Sequence, residues 1–584
     1  MRSLKRILSL LLSVIILLCV CAPFSGAVKA QPSDELTFGC DWFNESYTYP
    51  FSYDDSYFPE DFSEYDHELA VYSISASMAS FTSFDKDDPD KNIEDFFDKC
   101  GFETVSYGYE TEGYDTVGLA IGSKEIDFSG EKCTVLMIVV RSGNYGMEWG
   151  GNFRLGKGDN HLGFDIAKAT ALGYLNDYAG KNDFNGRVRA VVTGYSRGGS
   201  IAELMAAELD DGSYTSSLGA QSDNIASLGL GKEDLCAYAF EPPQCTRSSK
   251  AQDGVYSNIF NVINPNDYVP KFVGDIWGFT HFGRELFLPC AENTGRYGEY
   301  YEKVCTEFDY IMEGTGKTAN ECFYSTAMSR SFGSMIDYVM DGFSNDVLKS
   351  RDYYVDRFES GAVFIAGQYL GKKLGAGDVF KTAGVSLLAA LICLTPENIR
   401  MIKSDGYQRY LAHKISESDA GQGLTEDEVD SLLELLVLFT DYMTGNRDEV
   451  AALVAQLKNV MYVHQPYVNL AWMRSVDADD IKAINSPSSG ELEINCESLT
   501  LRKNAVGKLC AENADGRVSW RSSDPGVAVV DSRGYVKAVK TGTAVVTAAI
   551  YDAEGGIIAT DSIEVRVESA FVQMLKNLEK RLLG

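Results

Sequence analysis

Between Val188 and Leu209 the chain changes its hydrophobic period within a few residues. Val188, Ala190, Val191 and Val192 form a short apolar run that reads as a buried strand, whereas Ile201, Leu204, Met205 and Leu209 recur at helical spacing. The junction is Gly194-Tyr195-Ser196-Arg197-Gly198, a Gly-x-Ser-x-Gly. So abrupt a passage from strand to helix forces the central serine into a strained backbone and leaves no room for bulk two residues away. Gly194 and Gly198 meet that demand, and Gly199 lets the helix pack close to the strand. Ser196 then projects its hydroxyl at the sheet edge beside a helix N-terminus. The backbone N–H of Arg197 is placed to receive a developing oxyanion.

The 584 residues suffice for a large domain and a smaller one. Arg2, Lys5 and Arg6 precede the nearly unbroken apolar run Ile7 to Val20, with small residues after it at Ser25/Ala27 and Val28/Ala30. This order predicts a signal peptide over residues 1–30, cut after Ala27 or Ala30, and a secreted, extracellular or cell-surface protein. The run is short for a membrane anchor. Cys19 and Cys21 lack the small preceding residue of a lipoprotein box, so no lipid anchor is expected. The formal net charge is −32 and becomes more negative when the leader takes Arg2, Lys5, Arg6 and Lys29 with it. Such acidity argues against nucleic acid and against anionic membranes as partners. Of 13 cysteines an odd number remains after Cys19 and Cys21 leave, so at least one is unpaired and no disulfide framework is read.

Taken in order, residues 31–66 are acidic and aromatic and are expected to pack on the surface of the main domain. Leu69–Phe81, Asn92–Cys100 and Phe164–Tyr178 read as helices, and Thr116–Ile121, Thr134–Val140, Leu235–Phe240 and Asn258–Ile263 as strands. A glycine-rich loop follows Val139-Val140-Arg141-Ser142-Gly143 and contains Glu148-Trp149 and Asn152-Phe153. After the strand ending at Ile263 comes Asn264-Pro265-Asn266-Asp267, which puts a carboxylate just past the strand's carboxyl end, downstream of the serine. An acid there can hold a histidine in one tautomer and stabilise its imidazolium; alone, Asp267 is equally a turn former. The order Ser…Asp…His leaves three of the five histidines: His281, His413 and His464. Spacing alone does not choose among them. From about 296 to 460 the chain reads as a helical insertion without a chemical motif. Its apolar segment Val385–Leu394 is a buried helix or an apolar lid.

No histidine pair or cysteine cluster has metal-ligand spacing, and no phosphate loop or other cofactor signature is present, so neither metal nor cofactor is expected. Residues 485–490 read as a linker. Beyond them short alternating strands, among them Val518-Ser519-Trp520, Val527–Val530 and Tyr535–Val539, predict a small all-β sandwich over 491–568. Cys496 and Cys510 fall within it, as a pair or as free buried thiols. Residues 569–584 form a basic amphipathic helix.

Two resemblances follow from these motifs. The ordered set Val139–Gly143 with Glu148-Trp149 and Asn152-Phe153, Val192–Gly199, Ala239–Pro243, Asn264–Pro270, and His464-Gln465-Pro466-Tyr467 with Ala471-Trp472-Met473 resembles the class 3 lipase family of α/β-hydrolases. The resemblance runs from about 65 to 475, within a catalytic domain taken as 31–484, and implies an α/β-hydrolase with a large helical insertion, Ser196 as nucleophile, Asp267 as triad acid and His464 as base. At the oxyanion loop the family reads Arg-Gly-Thr or Arg-Gly-Ser; Arg141-Ser142-Gly143 departs from this, so only a backbone donor, Gly143 or Ser142, is implied beside Arg197. Residues 491–568 resemble the group 2 bacterial Ig-like domain through Val518–Pro525, Val527–Asp531, Gly534–Val539 and Gly542-Thr543-Ala544. That resemblance implies a spacer or a module contacting cell surface or carbohydrate.

The expectation is a secreted serine hydrolase that cleaves carboxylic esters, such as acylglycerols or related lipids, through an acyl-enzyme. The competing readings are a polysaccharide acyl esterase or peptidase on the same fold, and a non-catalytic surface adhesion protein using that fold as a scaffold. An intact turn around Ser196 argues against the scaffold.

Overall fold

The computed structural model describes residues 35–40, most of 45–319, 396–416, 463–485 and most of 492–568, with a few isolated positions between; 142–147, 216–222 and 273–278 are the longest stretches left out within the second range. The leader, Val385–Leu394, most of the helical insertion, the linker and the C-terminal helix lie outside the described residues.

The N-terminal segment opens with an antiparallel hairpin, β1 (Glu35–Cys40) and β2 (Glu45–Pro50). The main sheet has seven strands in spatial order β3 (Glu103–Tyr107), β4 (Leu119–Phe128), β5 (Glu131–Val140), β6 (Val188–Tyr195), β7 (Leu235–Phe240), β8 (Ile259–Ile263) and β9 (Arg284–Phe287). β3, β4 and β5 pair antiparallel, and β5 through β9 run parallel. β4 starts three residues later than the expected Thr116, whose backbone carbonyl accepts from the Arg197 guanidinium. β5 starts earlier than expected: Phe128 pairs with Glu131 across the two-residue turn Ser129-Gly130, both at positive φ, the hairpin turn that matches strand twist.

The parallel strands β6, β7 and β8 are buried along their whole length, as a sheet covered on both faces must be. Alternate side chains feed two separate cores. Leu136, Ile138, Ala190, Val192 and Ala237 face α3 (Leu162–Lys181) and α4 (Arg197–Asp211). Met137, Val139, Val191, Tyr238 and Phe260 face the other core, with α1 (His67–Ala79), α2 (Lys91–Lys99), α5 (Tyr297–Ile311), α6 (Pro466–Ser475) and α7 (Ala478–Asn485). Asp66 caps α1 by accepting from the Leu69 N–H at 2.8 Å, and the serine- and alanine-rich helix lies close enough to β6 for Ser77 to meet the buried Thr193 hydroxyl. Phe51, Tyr53 and Tyr57 pack on Tyr72 and Phe96, so the aromatic lead-in covers this core.

The described residues of 493–568 are all-β. Four strands pair in the order Ser498–Arg502, Ile557–Glu568, Gly542–Tyr551, Val518–Ser522, and three in the order Val506–Lys508, Tyr535–Ala538, Ala528–Val530. Their inner faces share one core built on Leu501, Leu509, Val536, Val546 and Val565. Cys496 and Cys510 are both free thiols, half-buried and exposed respectively, so neither the pair nor the two buried thiols of the expectation is found.

Candidate active site

β6 ends at Tyr195 and α4 begins at Arg197, leaving Ser196 between them at φ 54°, ψ −125°. A side-chain-bearing residue in such a region costs about 1–3 kcal/mol, which the surroundings must impose. They do so through two backbone bonds: the Ser196 N–H donates to Phe240 O of β7 at 2.8 Å, and the Ser196 carbonyl accepts from Ser200 N–H at 3.1 Å. A Cβ on Gly194 would lie 2.3 Å from both the backbone C and O of Gly198, so the turn closes only with glycine at 194.

Asp267 belongs to the turn after β8. Its N–H donates to Asn264 O at 2.8 Å, and Asn266 N–H donates to Asn264 Oδ1 at 3.0 Å. The carboxylate is buried; Oδ1 accepts from Val269 N–H at 2.9 Å, and Oδ2 lies 2.5 Å from His464 Nδ1. His464 precedes α6, and its Nε2 lies 2.9 Å from Ser196 Oγ. A carboxylate can only accept, so the imidazole proton sits on Nδ1 and Nε2 is left to accept from the serine hydroxyl. The imidazole, the carboxylate and the hydroxyl thus form one chain of hydrogen bonds.

The other histidines are engaged elsewhere. His281 is buried with its Nδ1 3.0 Å from Glu203 Oε2, while Glu203 Oε1 accepts from Cys245 Sγ at 3.0 Å and from the Phe282 N–H. His413 is exposed on the helix Asp405–Ser416. His67 bonds Tyr65 Oη and Met473 O, both at 2.9 Å. His161 caps α3 and is pushed down to about 3 by burial and by the nearby Arg197 charge.

Ser142 and Gly143, the expected loop donors, lie outside the described residues, but the anchors on both sides of that loop are in place. Arg141 forms a buried ion pair with Glu148, which also accepts from Thr116 Oγ1 at 2.8 Å. Burial pushes the Glu148 carboxyl up, against the pull of Arg141 and Arg197. Arg197 is the first residue of α4, where an N–H has no acceptor within the helix. Its buried guanidinium donates to Thr116 O at 3.1 Å and to Asn152 Oδ1 at 3.3 Å. The residue after the serine therefore also ties the serine turn to the segment before β4 and to the far side of the loop. Sequence reading missed this second role, as it missed Glu203; a charged residue in an otherwise alanine-rich helix is the one signal that points to either. Among the described residues no group of three or more His, Cys, Asp or Glu is arranged to hold a metal ion.

The fold and the hydrogen-bonded serine define an α/β-hydrolase. Residues 166–276, which contain Ser196 and Asp267, match the family Lipase (class 3), and residues 503–557 match the Bacterial Ig-like domain (group 2), in the order expected. No curated protein matches the chain. Among solved structures, the crystal structure of M37 lipase is similar at 12% sequence identity over 60% of this chain and 99% of its own, with a TM-score of 0.27. The protein is a carboxylic ester hydrolase in which one segment matches the class 3 lipases and a later one the group 2 bacterial Ig-like domain.

Proposed function

We propose that the protein is a secreted serine hydrolase that cleaves acylglycerols or related lipid esters through the triad Ser196, Asp267 and His464. The observation that carries the reading is the chain Ser196 Oγ to His464 Nε2 at 2.9 Å and His464 Nδ1 to Asp267 Oδ2 at 2.5 Å. His464 takes the Ser196 proton as the serine oxygen bonds to the ester carbonyl carbon. Asp267 stabilises the imidazolium so formed. The tetrahedral oxyanion is held by the backbone N–H of Arg197 and by one from Gly143 or Ser142. As the C–O bond to the alcohol breaks, His464 returns the proton to the leaving oxygen. Water, deprotonated by the same imidazole, then releases the acid from Ser196. The leader at residues 1–30 supports export, and the Ig-like domain serves as a spacer or a contact to cell surface or carbohydrate.

The test is labelling with a fluorophosphonate probe on wild type and on Ser196→Ala, followed by p-nitrophenyl esters of short and long chains. Labelling lost in Ser196→Ala, with long-chain esters preferred, is the expected result. A folded wild type that never labels would move the reading to a non-catalytic surface protein, and labelling with only short-chain turnover to an esterase of soluble acyl groups.

A further inference from the structure

The bond between His464 and Asp267 joins segments 197 residues apart, and nothing local sets their spacing. We propose that Asn469 is the positioning residue that sets it, an inference that rests on the triad reading above. Asn469 lies on α6, flanked by the apolar Val468 and Leu470, and is only 1% exposed. A buried amide is expensive unless both its ends are bonded. Here every partner belongs to a segment that carries the triad. Its Oδ1 accepts from Asn264 Nδ2 at 3.2 Å; its Nδ2 donates to Tyr195 Oη at 2.6 Å and to Val463 O at 3.3 Å.

Each contact has a continuation. Tyr195, the residue before the nucleophile, donates its hydroxyl to the backbone carbonyl of His464 at 3.2 Å. Asn264 shapes the Asp267 turn with its own carbonyl and side-chain oxygens, and its N–H donates to Glu241 Oε1 at 2.8 Å. Glu241 is itself held at φ 48°, directly after Phe240, whose carbonyl receives the Ser196 N–H. One planar amide therefore accepts from the acid's turn and donates to the base's segment and to the nucleophile's strand. A carboxylate cannot donate, and an apolar side chain can do neither. The side chain of Asn469 bonds these neighbours rather than Ser196 and acts through them.

The experiment compares wild type, Asn469→Asp, Tyr195→Phe and the double variant, reading kcat and KM on a p-nitrophenyl ester, the fluorophosphonate labelling rate and a melting curve. Asn469→Asp keeps the size and the acceptor toward Asn264 and loses both donations. It is expected to remain folded, to lose kcat by about 10–100-fold as the triad drifts from reacting distance, and to hold KM within about twofold. Tyr195→Phe loses less, and the double variant loses no more than Asn469→Asp alone, because both act along one path. A folded Asn469→Asp with wild-type kcat, or losses that multiply in the double variant, overturns the proposal. Should Asn469→Asp fail to fold, Tyr195→Phe decides, and wild-type kcat there overturns it. Labelling of wild type that Ser196→Ala abolishes keeps the hydrolase reading standing whatever Asn469→Asp does, whereas a wild type that never labels removes both.

Discussion

Two buried histidines lie downstream of Asp267, and replacing each should damage the protein in opposite ways. His464 is bonded to Ser196 and Asp267; His281 is bonded to Glu203, which is fully buried and receives Cys245 and the Phe282 N–H as well. In His281→Leu the carboxylate loses one partner while it stays sealed from water. Leaving a buried polar group short of a hydrogen-bond partner costs about 1–3 kcal/mol. The chemistry is untouched, since neither Glu203 nor His281 contacts the triad. In His464→Leu the proposed general base is gone. Loss of the base from a comparable triad costs on the order of 10⁶ in kcat. The assay is a denaturant melt in parallel with ester turnover corrected for the folded fraction. The expected pattern is a lowered midpoint with near-native kcat per folded molecule for His281→Leu, and a near-native midpoint with kcat close to background for His464→Leu. A His281→Leu protein that melts like wild type yet has lost turnover would refute the assignment of His281 to the core and reopen the choice of base.

Gly194→Ala would push a Cβ to 2.3 Å from backbone atoms of Gly198, which cannot swing aside as a side chain can. Destabilisation of roughly 3 kcal/mol or more is expected, with loss of labelling at Ser196, and a variant that melts and labels like wild type would show that the turn is looser than described. Burial raises the Asp210 carboxyl to about 7; one oxygen accepts from Asn258 at 2.9 Å, and the other has no hydrogen-bond partner among the described residues. An acid raised in the folded state holds its proton where the unfolded chain has already lost it. Between about pH 4, the ordinary aspartate value, and pH 7, stability should therefore fall as pH rises, by at most about 1.4 kcal/mol per pH unit from this group. Asp210→Asn is expected to flatten that decline, and denaturant midpoints at pH 5 and 7.5 that differ as much in the variant as in wild type would count against it.

What could be read from the sequence is what is encoded within a few neighbouring residues. The change of period around Gly194–Gly198 specified the serine turn, because strain there must be met by the adjacent glycines. The interior strands were legible because continuous burial leaves continuous apolar runs. The edge strands Glu103–Tyr107 and Arg284–Phe287 were not, since they are short, mostly half-buried and lack a continuous apolar run. Asp267 was legible as a position but not as a role. His464 could not be separated from His281 or His413 by spacing, and the family resemblance was needed to favour it. What finally separates the histidines is the partner each one finds, and those partners lie far off in sequence: Glu203 for His281, Asp267 for His464.

The helix that starts at the serine turn shows why such partners escape a linear reading. α4 presents Arg197 at its first position and Glu203 less than two turns later, both almost fully buried. On composition alone these are charges in a small-residue helix, and the simplest assignment would place them in water. In the fold Arg197 reaches Thr116 and Asn152 on the oxyanion-loop side, and Glu203 gathers Cys245, His281 and Phe282 from the segments that follow β7 and precede β9. A strained turn needs its flanking loops held at both ends, and one rigid helix carrying two buried charges can hold both at once. The charges are therefore required by the long-range loops they fix rather than by the helix that bears them, and their purpose becomes visible only when those loops are in place.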